Sequence, residues 1–248
     1  MTSSPLSSSS SAAVTTAGAG DGAPLQIVVF VGTRGRGSNL RALHDAVGAG
    51  RLHARVALVV GSRAGAPALE WAEGAGLEVA VLDPKTWPDE GGYTDALLGA
   101  LQAAGAEALA LAGYLRRLPS LVVALYRHRI VNIHPSLLPA FGGKGMYGEH
   151  VHRAVLGYGA KVSGCTAHFV DEEYDTGPII VQRVVPVREG DTPETLAARV
   201  LPHEHAALVE SLQLLAHGRL LVEGRVVRVA PAPAMAGEPG TGQGPVVY

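Results

Sequence analysis

Cysteine is almost absent: the 248 residues hold one, Cys165. A lone thiol excludes an internal disulfide framework and a thiolate metal cluster, and it suits a reducing compartment such as the cytoplasm. Charge is sparse, at 17% of residues, and nearly balanced, with 20 basic against 22 acidic side chains and a net charge of −2. That balance argues against a generic nucleic-acid or membrane-surface binder. No apolar run approaches the ~18 residues of a membrane span. Aromatic residues are few, at 5%, and lysine is nearly missing, with Lys85, Lys144 and Lys161 the only three. What is present is a hydrophobic content of 47%, too high for a disordered chain and right for a soluble globular one.

The two ends differ from the middle. Residues 1–24 are Ser, Ala, Thr and Gly with hardly a large apolar side chain, and 233–248 is rich in Pro and Gly. With no basic residue before Arg34 and no apolar segment, the N-terminus lacks the features of a secretory signal. The expected organisation is a disordered leader over 1–24, a single domain over 25–232, and a flexible tail over 233–248. Within the domain, short β-rich runs alternate with helical stretches. Ile27–Val31, Val56–Val60, Val79–Leu82, Ala108–Ala112 and Ile130–Ile133 read as strands. Asn39–Val47 with Ser38 as N-cap, Pro67 to about Ala75, Tyr93–Ala104 and a short Leu121–Leu125 read as helices. After residue 160 come two strands, Val162–Val170 and Ile179–Val187, then a long helix over Thr192–Leu215 and a hairpin at Leu220–Val222 and Val226–Val229. This order predicts an α/β fold: a Rossmann-like, mostly parallel sheet with helices on both faces, extended by a C-terminal β-hairpin and the long helix.

The stretch Gly32-Thr33-Arg34-Gly35-Arg36-Gly37-Ser38-Asn39 joins the first strand to the first helix. Unpaired amides at a helix start favour an anion, and glycines let backbone approach it. The dinucleotide fingerprint fails, because Leu40 stands where a third glycine is needed. A P-loop fails as well, because the lysine before the hydroxyl residue is missing. A phosphate monoester held by amides, Ser38 and Asn39 fits better. A tight turn before a helix is the structural alternative.

Ile130-Val131-Asn132-Ile133-His134-Pro135-Ser136-Leu137-Leu138-Pro139 is the most informative segment. Residues two apart on a strand share a face, so Asn132 and His134 point together. Pro135 ends the ladder and leaves both at the carboxyl end of a parallel strand, where open α/β sheets keep their ligand crevices. An amide beside an imidazole suits oxyanion stabilisation and proton movement. Downstream, Asp171-Glu172-Glu173-Tyr174-Asp175-Thr176-Gly177-Pro178 reads either as a solvated turn or as the source of a carboxylate, Asp175, that reaches His134 and raises its pKa. A calcium loop is disfavoured by the position of the glycine. His168 either lines the same cleft or is simply buried and hydrogen-bonded. His203 and His205 sit two apart on a helix and cannot share a metal face.

Taken together, Gly37-Ser38-Asn39-Leu40, Leu111-Ala112-Gly113-Tyr114-Leu115-Arg116, Asn132 through Phe141, Ser163 through Asp175 with Thr176–Ile180, and Glu204-His205 resemble the folate-dependent phosphoribosylglycinamide formyltransferase family, over about Ile27 to Val229. The resemblance implies a formyl donor, 10-formyltetrahydrofolate, and an acceptor, the primary amine of glycinamide ribonucleotide. It implies Asn132, His134 and Asp175 as the catalytic set. Gly37, Ser38 and Asn39 would hold the acceptor phosphate, and Glu204 its ribose. Leu115, Arg116, Arg117, Leu118, Asn132, Val170 and Asp171 would bind the folate. Three departures stand out: about two extra residues in Val31–Arg34, Glu90 with only Lys85 nearby in place of an arginine, and Arg117 in place of an apolar residue.

The chemistry so implied requires no metal. The expected partners are small-molecule substrates, with no nucleic acid and no membrane, for a monomer or homodimer in the cytoplasm, serving purine synthesis. Asp175 is expected to keep His134 protonated so that it and Asn132 stabilise the tetrahedral oxyanion. A formyltetrahydrofolate hydrolase, or another formyl-folate transferase, shares the Asn-x-His…Asp core and is the alternative. A non-catalytic nucleotide-binding module would have no use for those three residues together.

Overall fold

The computed structural model describes residues 14–15 and 22–231. One ten-stranded sheet runs through it in the order β1-β9-β10-β8-β7-β6-β5-β2-β3-β4. Its parallel half consists of β2 (Leu25–Val31), β3 (Ala54–Gly61), β4 (Val79–Val81), β5 (Ala108–Ala112) and β6 (Ile130–His134). Every residue of β5, and all of β2 but Gln26, is buried. Side chains alternate between two cores, as the pleat demands. Ile27, Val29 and Val31 pack with α1 (Ser38–Gly48), α2 (Pro67–Gly74) and α6 (Pro193–Ala216). Val28 and Phe30 pack with α3 (Glu90–Ala103) and α4 (Ser120–Leu125). Helices therefore cover both faces, as the alternation of strands and helices predicts.

Beyond β6 the sheet turns antiparallel through β7 (Val162–Phe169) and β8 (Ile179–Pro186). The hairpin of β9 (Leu220–Glu223) and β10 (Val226–Val229) closes that side, with β10 touching β8 in parallel at Val226. Within the segment read as a leader, Val14–Thr15 form β1, antiparallel to β9. The physical reason is the free edge of β9, whose N–H and C=O groups accept any extended neighbour. Residues 1–13, 16–21 and 232–248, which include the expected tail, lie outside the described residues.

Two local readings change. Ser38 is not the N-cap of α1; that place belongs to Gly37, at φ 73°, and no side chain caps the helix. The segment 140–160 contains a helix that the sequence reading passed over, α5 (Glu149–Tyr158), which packs against α6. Elsewhere boundaries fall within a few residues of expectation. Thr192 caps α6 through a reciprocal box with Thr195, and Pro193 occupies the first position.

The ligand-binding end follows from topology. β2 connects to β3 on one side while β5 lies on its other side, so the loops after β2 and β5 diverge and leave a crevice between them. Gly32 ends β2 so close to Gly113, which ends β5, that a Cβ would lie 2.3 Å from the Gly113 carbonyl oxygen.

Candidate active site

The crevice opens into a cleft of about 1120 Å³ walled by Ser38 and Asn39, by the segment Gly113–Leu118, by Asn132 and His134, by Val170–Asp175, and by α5 and α6. At its centre, β6 and β7 pair so that Asn132 stands opposite His168 and His134 opposite Thr166. The amide Nδ2 of Asn132 donates to His168 Nε2 at 3.1 Å. His168 Nδ1 in turn donates to the Phe169 carbonyl at 2.8 Å, and His134 Nε2 to the Phe141 carbonyl at 2.9 Å. Each imidazole thus has its far nitrogen tied to main chain and turns its near nitrogen to one carboxylate. His134 Nδ1 lies 3.5 Å from Asp175 Oδ2, and His168 Nε2 lies 3.6 Å from Asp175 Oδ1. The two open readings of His168 are both met: it is buried and hydrogen-bonded, and it lines the cleft.

Asp175 is brought there by a strained turn. Its φ is 59°, a left-handed value uncommon outside glycine. Its carboxylate accepts from the Gly143 N–H at 2.8 Å. Asp171 Oδ1 accepts from the Glu173 N–H and the Thr176 hydroxyl. Gly177 lets the turn lie flat on β7, since a Cβ there would sit 1.8 Å from the Phe169 carbonyl oxygen. The Pro-Ser-Leu-Leu-Pro loop is held by Thr166, which donates to the Ser136 carbonyl and accepts from the Leu138 N–H, and by Gln182, which donates to the Leu138 carbonyl.

The charges sort by burial. Asp175 is held below the usual carboxylate range: burial opposes the shift, but His168, His134 and the Gly143 N–H together outweigh it. His134 departs from expectation. Burial pushes its pKa down, and although Asp175 and the Phe141 carbonyl push it up, burial wins. Asp175 acts in the expected direction, but His134 in the empty cleft is not kept protonated, because a ring only 3% exposed loses more hydration than one carboxylate at 3.5 Å returns.

At the other end of the cleft, Asn39 Nδ2 donates to Glu204 Oε2 at 3.3 Å, bringing α1 and α6 together. The Glu204 carboxyl is enclosed, and burial pushes its pKa up to about 7. Asn39 Oδ1 is buried with no partner. The uncapped first turn of α1 begins beside it, with amides free to meet an anion.

With this geometry in view, a family model described as formyl transferase matches residues 25–212. The chain belongs to the formyl transferase family. A chloroplastic phosphoribosylglycinamide formyltransferase of Vigna unguiculata is 44% identical over 197 residues, covering 79% of this chain and 62% of that protein. The chain therefore spans about three fifths of that curated relative's length. A glycinamide ribonucleotide transformylase of Symbiobacterium toebii matches in structure with a TM-score of 0.78 and 44% identity, over 84% of this chain and 95% of that one. A formyltetrahydrofolate deformylase of Pseudomonas syringae pv. tomato matches with a TM-score of 0.74 and 25% identity, over 84% and 66%.

In this member of the family, every residue singled out for donor binding lines the cleft: Leu115, Arg116, Arg117, Leu118, Asn132, Val170 and Asp171. So do Ser38, Asn39 and Glu204, whereas Gly37 stands behind them as the N-cap. Arg116 pairs with Asp83 at 3.5 Å. Arg117 reaches across to the acidic turn, where it donates to the Glu172 carbonyl, lies 3.7 Å from Glu173 and stacks toward Tyr174. Sequence reasoning missed the loop Gly143–Gly148 and His152, which form one wall. The signal was the run of four glycines at 142, 143, 145 and 148, followed by Val151 and Val155 at helical spacing. Among the described residues no group of three or more His, Cys, Asp or Glu is arranged to hold a metal ion.

Proposed function

We propose that this chain, as a single domain over residues 25–232, transfers the formyl group of 10-formyltetrahydrofolate to the primary amine of glycinamide ribonucleotide. The observation that carries the reading is one continuous cleft with two chemically distinct ends. The uncapped start of α1 with Asn39 and Glu204 suits a phosphorylated sugar, and the Leu115–Leu118 and Val170–Asp171 walls suit a flat pterin. The Asn132–His134–His168–Asp175 cluster stands between them. A net charge of −2 and a single, buried cysteine accord with a cytoplasmic enzyme acting on small molecules, and we read it as a monomer or homodimer.

The reaction follows from the geometry. The amine attacks the formyl carbon, a C–N bond forms, and negative charge gathers on the formyl oxygen. One N–H of the Asn132 amide is engaged with His168, and the other is left to meet that oxygen; loss of one such donor typically costs ~10²–10³ in rate. His134, neutral at rest, takes the amine proton on Nδ1. Asp175 at 3.5 Å stabilises the imidazolium as it forms. The intermediate then collapses, the bond to folate N10 breaks, and N10 receives the proton from His134. A water in place of the amine would make the chain a hydrolase, the second reading, for which the likeness to the deformylase at 25% identity speaks less strongly than the 44% to the transformylase speaks for transfer.

Incubation with 10-formyltetrahydrofolate, with and without glycinamide ribonucleotide, separates the two. Formylated ribonucleotide appearing in step with donor consumption is the expected result. Formate release at the same rate whether or not the amine is present would overturn the proposal.

A further inference from the structure

His152 is a buried titratable residue to which the mechanism above gives no task. It lies on α5, is 3% exposed, and lines the cleft. Its Nδ1 is enclosed with no hydrogen-bond partner, and no hydrogen bond from a described residue reaches either ring nitrogen. Buried polar groups are nearly always satisfied, so an imidazole left open beside a binding cleft calls for a partner that arrives with the ligand. Its place in the fold narrows which ligand. α5 packs against α6, the helix that carries Glu204. Burial lowers the pKa of His152, and His134 is near enough that a proton on that ring would lower it further. His152 thus lines the same cleft as His134 and Glu204, and burial favours its neutral form, which offers one N–H and one lone pair.

We propose that His152 orients the attacking amine, accepting one amine N–H on Nε2, the ring nitrogen that is not enclosed, so that the amine lone pair faces the formyl carbon, and thereby selects amine over water as nucleophile. A primary amine can rotate about its carbon, and only one rotamer aims the lone pair along the line of attack. An acceptor fixed in a buried wall selects that rotamer, and ordering of this kind is a large part of what a site contributes to rate. Water gains nothing comparable, having no substituent to set against the wall. The inference rests on glycinamide ribonucleotide being the acceptor.

The test compares His152→Phe and His152→Gln with the wild type, varying acceptor and donor separately and measuring formate alongside formylated product. His152→Phe fills the space without an acceptor atom; His152→Gln retains one. The expected result for Phe is a fall of about 10–100-fold in acceptor kcat/KM with donor KM unchanged, together with a larger share of formyl groups ending as formate. The Gln variant should recover part of the loss, and the melting temperatures of the two should be similar. Acceptor kcat/KM within twofold of wild type in the Phe variant overturns the inference. So does a loss confined to donor KM, or an equal loss in both variants accompanied by a lower melting temperature, which would make His152 a packing residue. A wild type that does not formylate the ribonucleotide at all overturns the function itself and the inference with it.

Discussion

Asp175 faces two imidazoles through two oxygens, and each imidazole has already given its other N–H to a backbone carbonyl. An added proton on His134 therefore lands against the carboxylate, whereas His168 Nε2 already accepts from the Asn132 amide. Burial disfavours that proton on His134, and in the proposed reaction the amine supplies it. Asp175→Asn keeps the shape and can still accept from the Gly143 N–H, yet it removes the charge that stabilises the imidazolium. The expected outcome is a fall in kcat of about 10²–10³ or more with both substrates still binding, because the interaction is realised chiefly in the transition state. Glu172→Gln and Glu173→Gln, whose side chains lie in the exposed part of the turn, should change turnover little. Steady-state kinetics on the three variants checks this, and equal losses at all three would remove Asp175 from the chemistry. Asn132, His134 and Asp175 were legible because strand spacing and the Pro and Gly neighbours fix where they point. The pKa of His134 was not, since it depends on how deeply the ring is buried, a quantity no local pattern carries. The pairing of His168 with Asn132 was not legible either, because the register of β6 on β7 decides it.

At the scale of elements, α1 and α6 meet at the Asn39–Glu204 hydrogen bond. The helical spacing of Leu40 and Leu43 predicts α1, and the Thr192-Pro193 start predicts α6. Their contact 165 positions apart is invisible to either pattern. The pair also gives the seam a pH dependence with a definite sign. The Glu204 carboxyl has an ordinary value of 4.5 and a value of about 7 in the folded, empty protein. The folded state thus binds this proton more tightly than the unfolded chain. The stability it contributes is complete below 4.5 and is lost as pH rises through about 7, where a carboxylate becomes buried. A ribose hydroxyl donating to Glu204 favours the ionised form. Ribonucleotide affinity should therefore rise as pH is taken upward through about 7, while donor affinity does not follow the same curve. Glu204→Gln should flatten the profile, weaken ribonucleotide binding and raise the stability of the empty protein above neutral pH. Calorimetric titration at several pH values, with melting curves on the same samples, reads all three.

At the scale of the molecule, the sheet keeps chemistry and edge apart. The β-α alternation before residue 135 makes the parallel half legible, and the break in that alternation after residue 160 marks the antiparallel extension. The single parallel contact of β10 with β8 and the short strand β1 were not legible, because edge pairing is settled by which strand is left open. Of the residues proposed for the chemistry, Asn132 and His134 stand on β6 and Asp175 in the turn after β7, and the loops after β2 and β5 wall the same cleft. Between β7 and β1 lie three strands, β8, β10 and β9, so β1 is far from the cleft in sheet order. Among the described residues before Leu25, the ties to the domain are the β1–β9 ladder, the His53 Nε2 contact with the Gly22 carbonyl at 3.0 Å and the bond from Gln26 Nε2 to the Pro24 carbonyl at 2.8 Å. A chain beginning at Leu25 should therefore keep the kcat and both KM values of the full chain. It should melt slightly lower, having lost a two-residue ladder and two exposed hydrogen bonds, together worth about 1–2 kcal/mol. It should also self-associate more readily, because β9 becomes an open edge with unpaired N–H and C=O groups. Sedimentation or light scattering across a concentration series, beside the kinetics, decides the point. A large loss of turnover in the shortened chain would mean that the segment reaches the cleft, and an unchanged tendency to associate would mean that β9 is protected by its own side chains rather than by β1.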